Sequence, residues 1–196
     1  MVDDAELIRR IQQGKLQYLT PLIERHYASL EKYCYWKIRN TEEAQDITQE
    51  TFYRFCRNIE QYTHSGKCRA YLYTIARNLC HNYFQNKRLL SLEEVSEGQC
   101  GQTPTMEERI DSEQMVYELI TSLPAEQREA LFLRFCLDLK FREIAEITGT
   151  NICMVQYRVK RGLNSLRNKW EMEENNEETR KRPHPDYAQK VPCPPH

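Results

Sequence analysis

The chain has 196 residues, 40% of them hydrophobic and 29% charged, a balance that suits buried cores beneath a polar surface. No stretch reaches the roughly 20 apolar residues of a membrane-crossing helix, and the acidic start Met1-Val2-Asp3-Asp4 is unlike a secretory leader, so the sequence reads as cytoplasmic. The net charge of −1 hides a segregation: residues 1–90 carry 14 Lys and Arg against 10 Asp and Glu (+4), residues 91–121 carry 1 against 8 (−7), residues 122–170 carry 9 against 5 (+4), and the remainder 4 against 6 (−2). Two basic modules around an acidic connector suggest two contacts with a polyanion.

In chain order, residues 4–39 are predicted as two helices broken near Gly14, with Pro21 in the first turn of the second. Leu19, Leu22, Ile23, His26, Leu30, Tyr33 and Cys34 recur there at helical spacing. A third helix is expected over 42–59, capped by Thr41 and burying Ala44, Ile47, Thr48, Thr51, Phe52, Phe55 and Ile59. After a turn at Thr63, Ser65 and Gly66, a fourth spans 67–88 and buries Leu72, Ile75, Ala76, Leu79 and Tyr83. Residues 90–105 are acidic, with Gly98, Gly101 and Pro104, and read as a flexible linker. Helical pattern resumes near Met106, and short helices fit 124–136, 140–147 and 151–170. The segment 171–196, rich in Glu, Asn and Pro, is expected to be disordered. The fold class is thus all-α: two small helical domains, 1–89 and 106–170, joined by the linker, with a helix-turn-helix in the second.

Eight cysteines are scattered without a CxxC pair, so they read as small buried apolar residues rather than a disulfide or zinc framework. No phosphate-binding glycine loop, catalytic carboxylate pair or nucleophile constellation stands out. No enzymatic activity, cofactor, metal or small-molecule substrate is expected.

The strongest local signal is FREIAEITGTNICMVQYRVKRGLNSLR. Ile144, Ala145 and Ile147 form the inner face of one helix, and Gly149 supplies the left-handed residue of a tight turn. Asn151 caps a second helix with Ile152, Val155, Val159, Leu163 and Leu166 inward and a basic face outward. A second helix of this kind enters the DNA major groove, its amino-terminal residues reaching base edges. The pattern alone fits a repressor as well as any other duplex-reading protein.

Two longer segments separate those readings. EEAQDITQETFYRFCRNIEQY followed by CRAYLYTIARNLCHNYFQNKR resembles region 2 of the extracytoplasmic-function sigma factors, group 4 of the bacterial sigma-70 family. LPAEQREALFLRFCLDLKFREIAEITGTNICMVQYRVKRGLNSLR resembles their region 4. Together they cover most of residues 5–170 in the family's order.

The resemblance implies a partner, the RNA polymerase core, bound through Asp46, Gln49 and Glu50 with Tyr53 and Arg57 nearby. It implies minus-ten contacts to a melted strand from Tyr62, His64, Ser65 and Lys67 in the turn. On the following helix it adds Arg69, Tyr71, Arg77, Asn78, Asn82, Lys87 and Arg88. Tyr71 stands where the family often has Trp, and His81 where it often has Asp. Minus-thirty-five contacts fall to Asn151, Cys153, Met154, Tyr157, Arg158, Lys160 and Arg161. Many relatives have Lys and Ser where this chain has Gln156 and Tyr157, so the promoter sequence does not carry over. An anti-sigma protein is a further implied partner. Two other classes stay open on the residues alone: a dimeric helix-turn-helix regulator, and a protein that sequesters polymerase without reading DNA.

Overall fold

The computed structural model describes residues 2–62, 67–93 and 120–181. Among them are seven α-helices and no strand: α1 Asp4–Gln12, α2 Leu19–Ile38, α3 Thr41–Arg57, α4 Cys68–Glu93, α5 Ala125–Leu131, α6 Phe141–Thr148 and α7 Ile152–Lys181. A 3-10 turn, Leu16–Tyr18, joins α1 to α2, and a π-helical turn, Phe132–Cys136, extends α5. The all-α expectation holds.

Side-chain caps set where the helices begin. Asp3 accepts the Glu6 amide at 2.9 Å to start α1, and Asn40, not Thr41, accepts the Glu43 amide at 3.0 Å to start α3. Such caps satisfy amides that the helix itself leaves without acceptors. The α3 stripe is buried as its spacing requires. Its two threonines are tolerated inside because Thr48 and Thr51 return their hydroxyls to the carbonyls of Ala44 and Ile47, each at 2.7 Å. In α4 the inner face differs from expectation. Leu72, Tyr73, Ala76 and Cys80 are buried, whereas Ile75, Leu79 and Tyr83 are only half-buried, because Tyr73 packs edge-on against Tyr33 of α2 with centroids 5.4 Å apart.

The described residues of Met1–Thr105 together with Phe132–Tyr157 form one compact unit, and those of Met106–Leu131 with Arg158–His196 form another. The second unit takes its two segments from either side of Phe132–Tyr157, which belongs to the first. In the first unit Trp36 of α2 stacks on Phe132 at 4.2 Å, and α4 packs against α6. Helix ends also shift outward: α4 continues to Glu93, into the expected linker, and the rest of 90–105 lies outside the described residues.

The segment expected to be disordered from 171 is helical as far as Lys181. Its Glu, Met, Lys and Arg residues favour helix, and elongation from a formed helix needs no new nucleus. Residues 182–196 lie outside the described residues.

The turn between α6 and α7 forms as predicted. Gly149 has φ +65°, its amide donates to the Glu146 carbonyl at 3.3 Å, and the Thr150 amide donates to Ala145 at 2.9 Å, the two closing bonds of a Schellman end. A Cβ at Gly149 would meet nothing within 4 Å, so only the backbone conformation opposes a side chain there. Gly149→Ala is therefore expected to cost about 1–2 kcal/mol, read as a lower urea midpoint with an unchanged slope.

Candidate nucleic-acid interface

Burying the α3 stripe turns the opposite face outward. Asp46, Gln49 and Arg57 are exposed. Tyr53 is 59% exposed, a large aromatic left in water. Glu50 is half-buried and accepts the Arg54 Nε–H at 2.7 Å. The five side chains expected to meet a protein partner thus share one helix face.

The minus-ten candidates divide into two groups. Asn78, Asn82, Lys87 and Arg88 are exposed along α4, and Arg77 is half-buried. Near the start of α4 the side chains are engaged. The Tyr71 ring stacks on Tyr62 (5.0 Å, 28°) and tilts against Phe55, and burial pushes the Tyr62 hydroxyl up to about 12, so it remains protonated at neutral pH. Lys67 pairs with Glu146 at 2.5 Å, and Arg69 donates to the Leu137 carbonyl. His64 and Ser65 lie outside the described residues.

In α7, Asn151 accepts the Met154 amide at 2.7 Å, which makes it the helix cap. Cys153, Met154, Tyr157, Lys160 and Arg161 are exposed around the first turns. Arg158 is not on that surface in the expected sense: its side chain is 17% exposed and pairs with Glu126 at 2.6 Å. The inward stripe is also rotated from the expected one. Val155, Val159 and Gly162 are buried, while Ile152 is 38% and Leu163 43% exposed. A Cβ at Gly162 would lie 2.9 Å from Leu131 Cδ1, so glycine is what lets α5 approach α7 there.

The family model for Sigma-70 region 2 matches residues 22–89, and that for Sigma-70, region 4 matches residues 113–166, together more than half of the chain. The chain is 30% identical over 172 residues to the ECF RNA polymerase sigma factor BldN of Streptomyces coelicolor, covering 82% of this chain and 64% of BldN. It is 27% identical over 173 residues to the ECF RNA polymerase sigma factor SigW of Bacillus subtilis, covering 82% and 92%.

The chain belongs to the extracytoplasmic-function branch of the sigma-70 family.

Solved structures share the fold of this family member. CnrH, in complex with the cytosolic domain of CnrY, aligns with a TM-score of 0.64 at 18% identity, over 85% of this chain and 96% of that one. RpoE, in complex with the anti-sigma factor NepR from Bartonella quintana, aligns with a TM-score of 0.56 at 20% identity, over 81% and 96%.

One grouping in this sigma-70 member escaped the sequence reading. His26 Nε2 lies 2.8 Å from Asp4 Oδ2, Arg25 Nη1 lies 2.5 Å from Asp4 Oδ1, and Cys68 completes a cluster of potential metal ligands with Asp4 and His26. The hydrogen bond to His26, aided by Arg25, holds the Asp4 carboxyl below its ordinary range despite burial, and burial pushes the Cys68 thiol up to about 12. A histidine within the apolar stripe of α2 was the available signal, since a buried imidazole requires a polar partner. The partners, 22 and 42 positions away, are not visible from spacing.

Asn151 serves both as helix cap and as a minus-thirty-five candidate, and the two roles separate by substitution. Asn151→Ala is expected to lower stability by about 1 kcal/mol. Asn151→Ser keeps the cap, so its melting temperature stays near wild type while any change in DNA affinity reports the base contact.

Proposed function

We propose that this chain binds the core of bacterial RNA polymerase and directs it to specific promoters, under the control of an anti-sigma protein. The observation that carries the reading is the occurrence of sigma-70 regions 2 and 4, in that order, within one chain. Residues 1–89 act as the core-binding and minus-ten module, and residues 106–170 as the minus-thirty-five module. The polar face of α3, with Asp46, Gln49, Glu50, Tyr53 and Arg57, is the docking surface for core. The complexes of CnrH with CnrY and of RpoE with NepR support the anti-sigma partner. The protein works in the cytoplasm, where the polymerase is, and forms or breaks no covalent bond.

The physical logic is bivalent. Core holds two weak DNA-binding modules at a fixed separation, so each binds at the high effective concentration set by the other. Lys and Arg contacts to phosphate supply salt-dependent affinity, and base contacts supply sequence choice. Aromatic rings such as Tyr71 stack on unpaired bases and lower the free energy of the melted strand. Lys67 and Arg69 take part only once they leave Glu146 and the Leu137 carbonyl, so their release belongs to the transition to the active complex.

Run-off transcription with purified core and genomic promoter fragments tests the proposal. Discrete new start sites are expected only when the protein is present. Asp46→Ala combined with Gln49→Ala is expected to weaken core binding by about 10- to 100-fold and to abolish those transcripts. Arg161→Ala in the complete holoenzyme lowers promoter affinity, with the salt slope smaller by about 1. Equal promoter binding and melting by the chain without core overturns the reading.

A further inference from the structure

We propose that Asp4, His26 and Cys68 form a binding site for one divalent transition ion of zinc's chemistry, joining α1, α2 and the start of α4. The ligand atoms of the three residues lie within 4.8 Å of one another. His26 is 7% and Cys68 2% exposed, so two of the three donors come from inside the protein, where solvent competes least for the ion.

The donor set fits such an ion. One sulfur, one imidazole nitrogen and one carboxylate oxygen are the ligand types zinc accepts, at about 2.3, 2.0 and 2.0 Å. In a tetrahedron those bond lengths set the ligand atoms roughly 3.3–3.6 Å apart. The present geometry brackets that spacing: the His26–Asp4 contact of 2.8 Å opens slightly, and the outer limit of 4.8 Å closes by about an ångström. Shifts of this size lie within side-chain rotation. Three protein ligands leave the fourth position to a water molecule.

Arg25 completes the arrangement. Its guanidinium takes Asp4 Oδ1 and leaves Oδ2, the oxygen already facing His26, for the ion. A hydrogen-bonded partner on a ligating carboxylate fixes its orientation.

Binding is an exchange that balances. The Cys68 S–H bond breaks heterolytically, sulfur keeps the electron pair and donates it to the ion, and the proton passes to water. In the metal-free form Nε2–H faces Asp4 Oδ2, so His26 gives that proton to water and takes one up on Nδ1, leaving the Nε2 lone pair for the ion. The ion brings two positive charges and one proton leaves, so the cluster gains a single unit of charge.

Cobalt(II) titration of the full chain decides the matter independently of any role in transcription. One equivalent is expected to produce a near-ultraviolet thiolate-to-cobalt band together with the visible bands of a tetrahedral ion. Cys68→Ala and His26→Gln are each expected to weaken cobalt binding by about 100-fold, while Cys136→Ser, at an exposed cysteine, leaves the band unchanged. Circular dichroism checks that the variants fold. Zinc is expected to raise the melting temperature of the wild-type chain, and a chelator to reverse the rise, a readout that needs no variant. Absence of the thiolate band from the wild type, its persistence in folded Cys68→Ala, or a melting temperature indifferent to zinc overturns the site.

Discussion

Residues at three-and-four spacing along α2 meet three other helices at once, and the first compact unit is assembled on that stripe. His26 reaches Asp4 of α1, Tyr33 receives Tyr73 of α4 edge-on, and α3 packs along the length between them. Close-packed interiors transmit any change in one such residue to its neighbours. Loss of the Tyr33 ring would therefore loosen α4, and the positions of every candidate DNA contact on α4 follow from that packing. The polar His26 in an otherwise apolar stripe is tolerated because its ring hydrogen-bonds Asp4, whose other oxygen takes Arg25.

Each surface in the proposed mechanism is the reverse side of a buried one. On α3 the threonine hydroxyls close onto their own helix, which frees the opposite face from any structural duty. On α7 Val155, Val159 and Gly162 are buried, and the exposed first turns carry polar and basic side chains. A helix that places its apolar residues narrowly leaves most of its circumference for a partner. Two such helices in one chain suit the proposed role of holding polymerase while reading DNA.

Much of this was legible in the sequence, for identifiable reasons. The α3 stripe and the Gly149 turn depend on local spacing and on one residue's backbone freedom, and both were readable from a short window. The α3 cap went to Asn40 rather than Thr41, the usual uncertainty of a helix end where two cap-competent residues adjoin. Arg158 could not be distinguished from Arg161 by pattern, because its partner Glu126 lies 32 positions earlier. The same limit hid the engagement of Lys67 and Arg69, whose partners Glu146 and Leu137 lie far along the chain. Tyr73 was absent from the expected α4 stripe because its burial depends on the ring of Tyr33 rather than on the periodicity of α4.

Gly162 shows how such contacts constrain change over evolutionary time. Its missing side chain is filled by Leu131 from α5, so the two positions share one fixed volume. A lineage that acquired alanine or serine at 162 would have to shrink or redirect residue 131, and one that enlarged 131 would be held to glycine opposite. The pair is free to drift only jointly, as a covarying couple, although neither member touches DNA or polymerase in the proposed mechanism. Residues fixed by such mutual fit can look functionally selected when they record nothing more than two helices sharing a boundary.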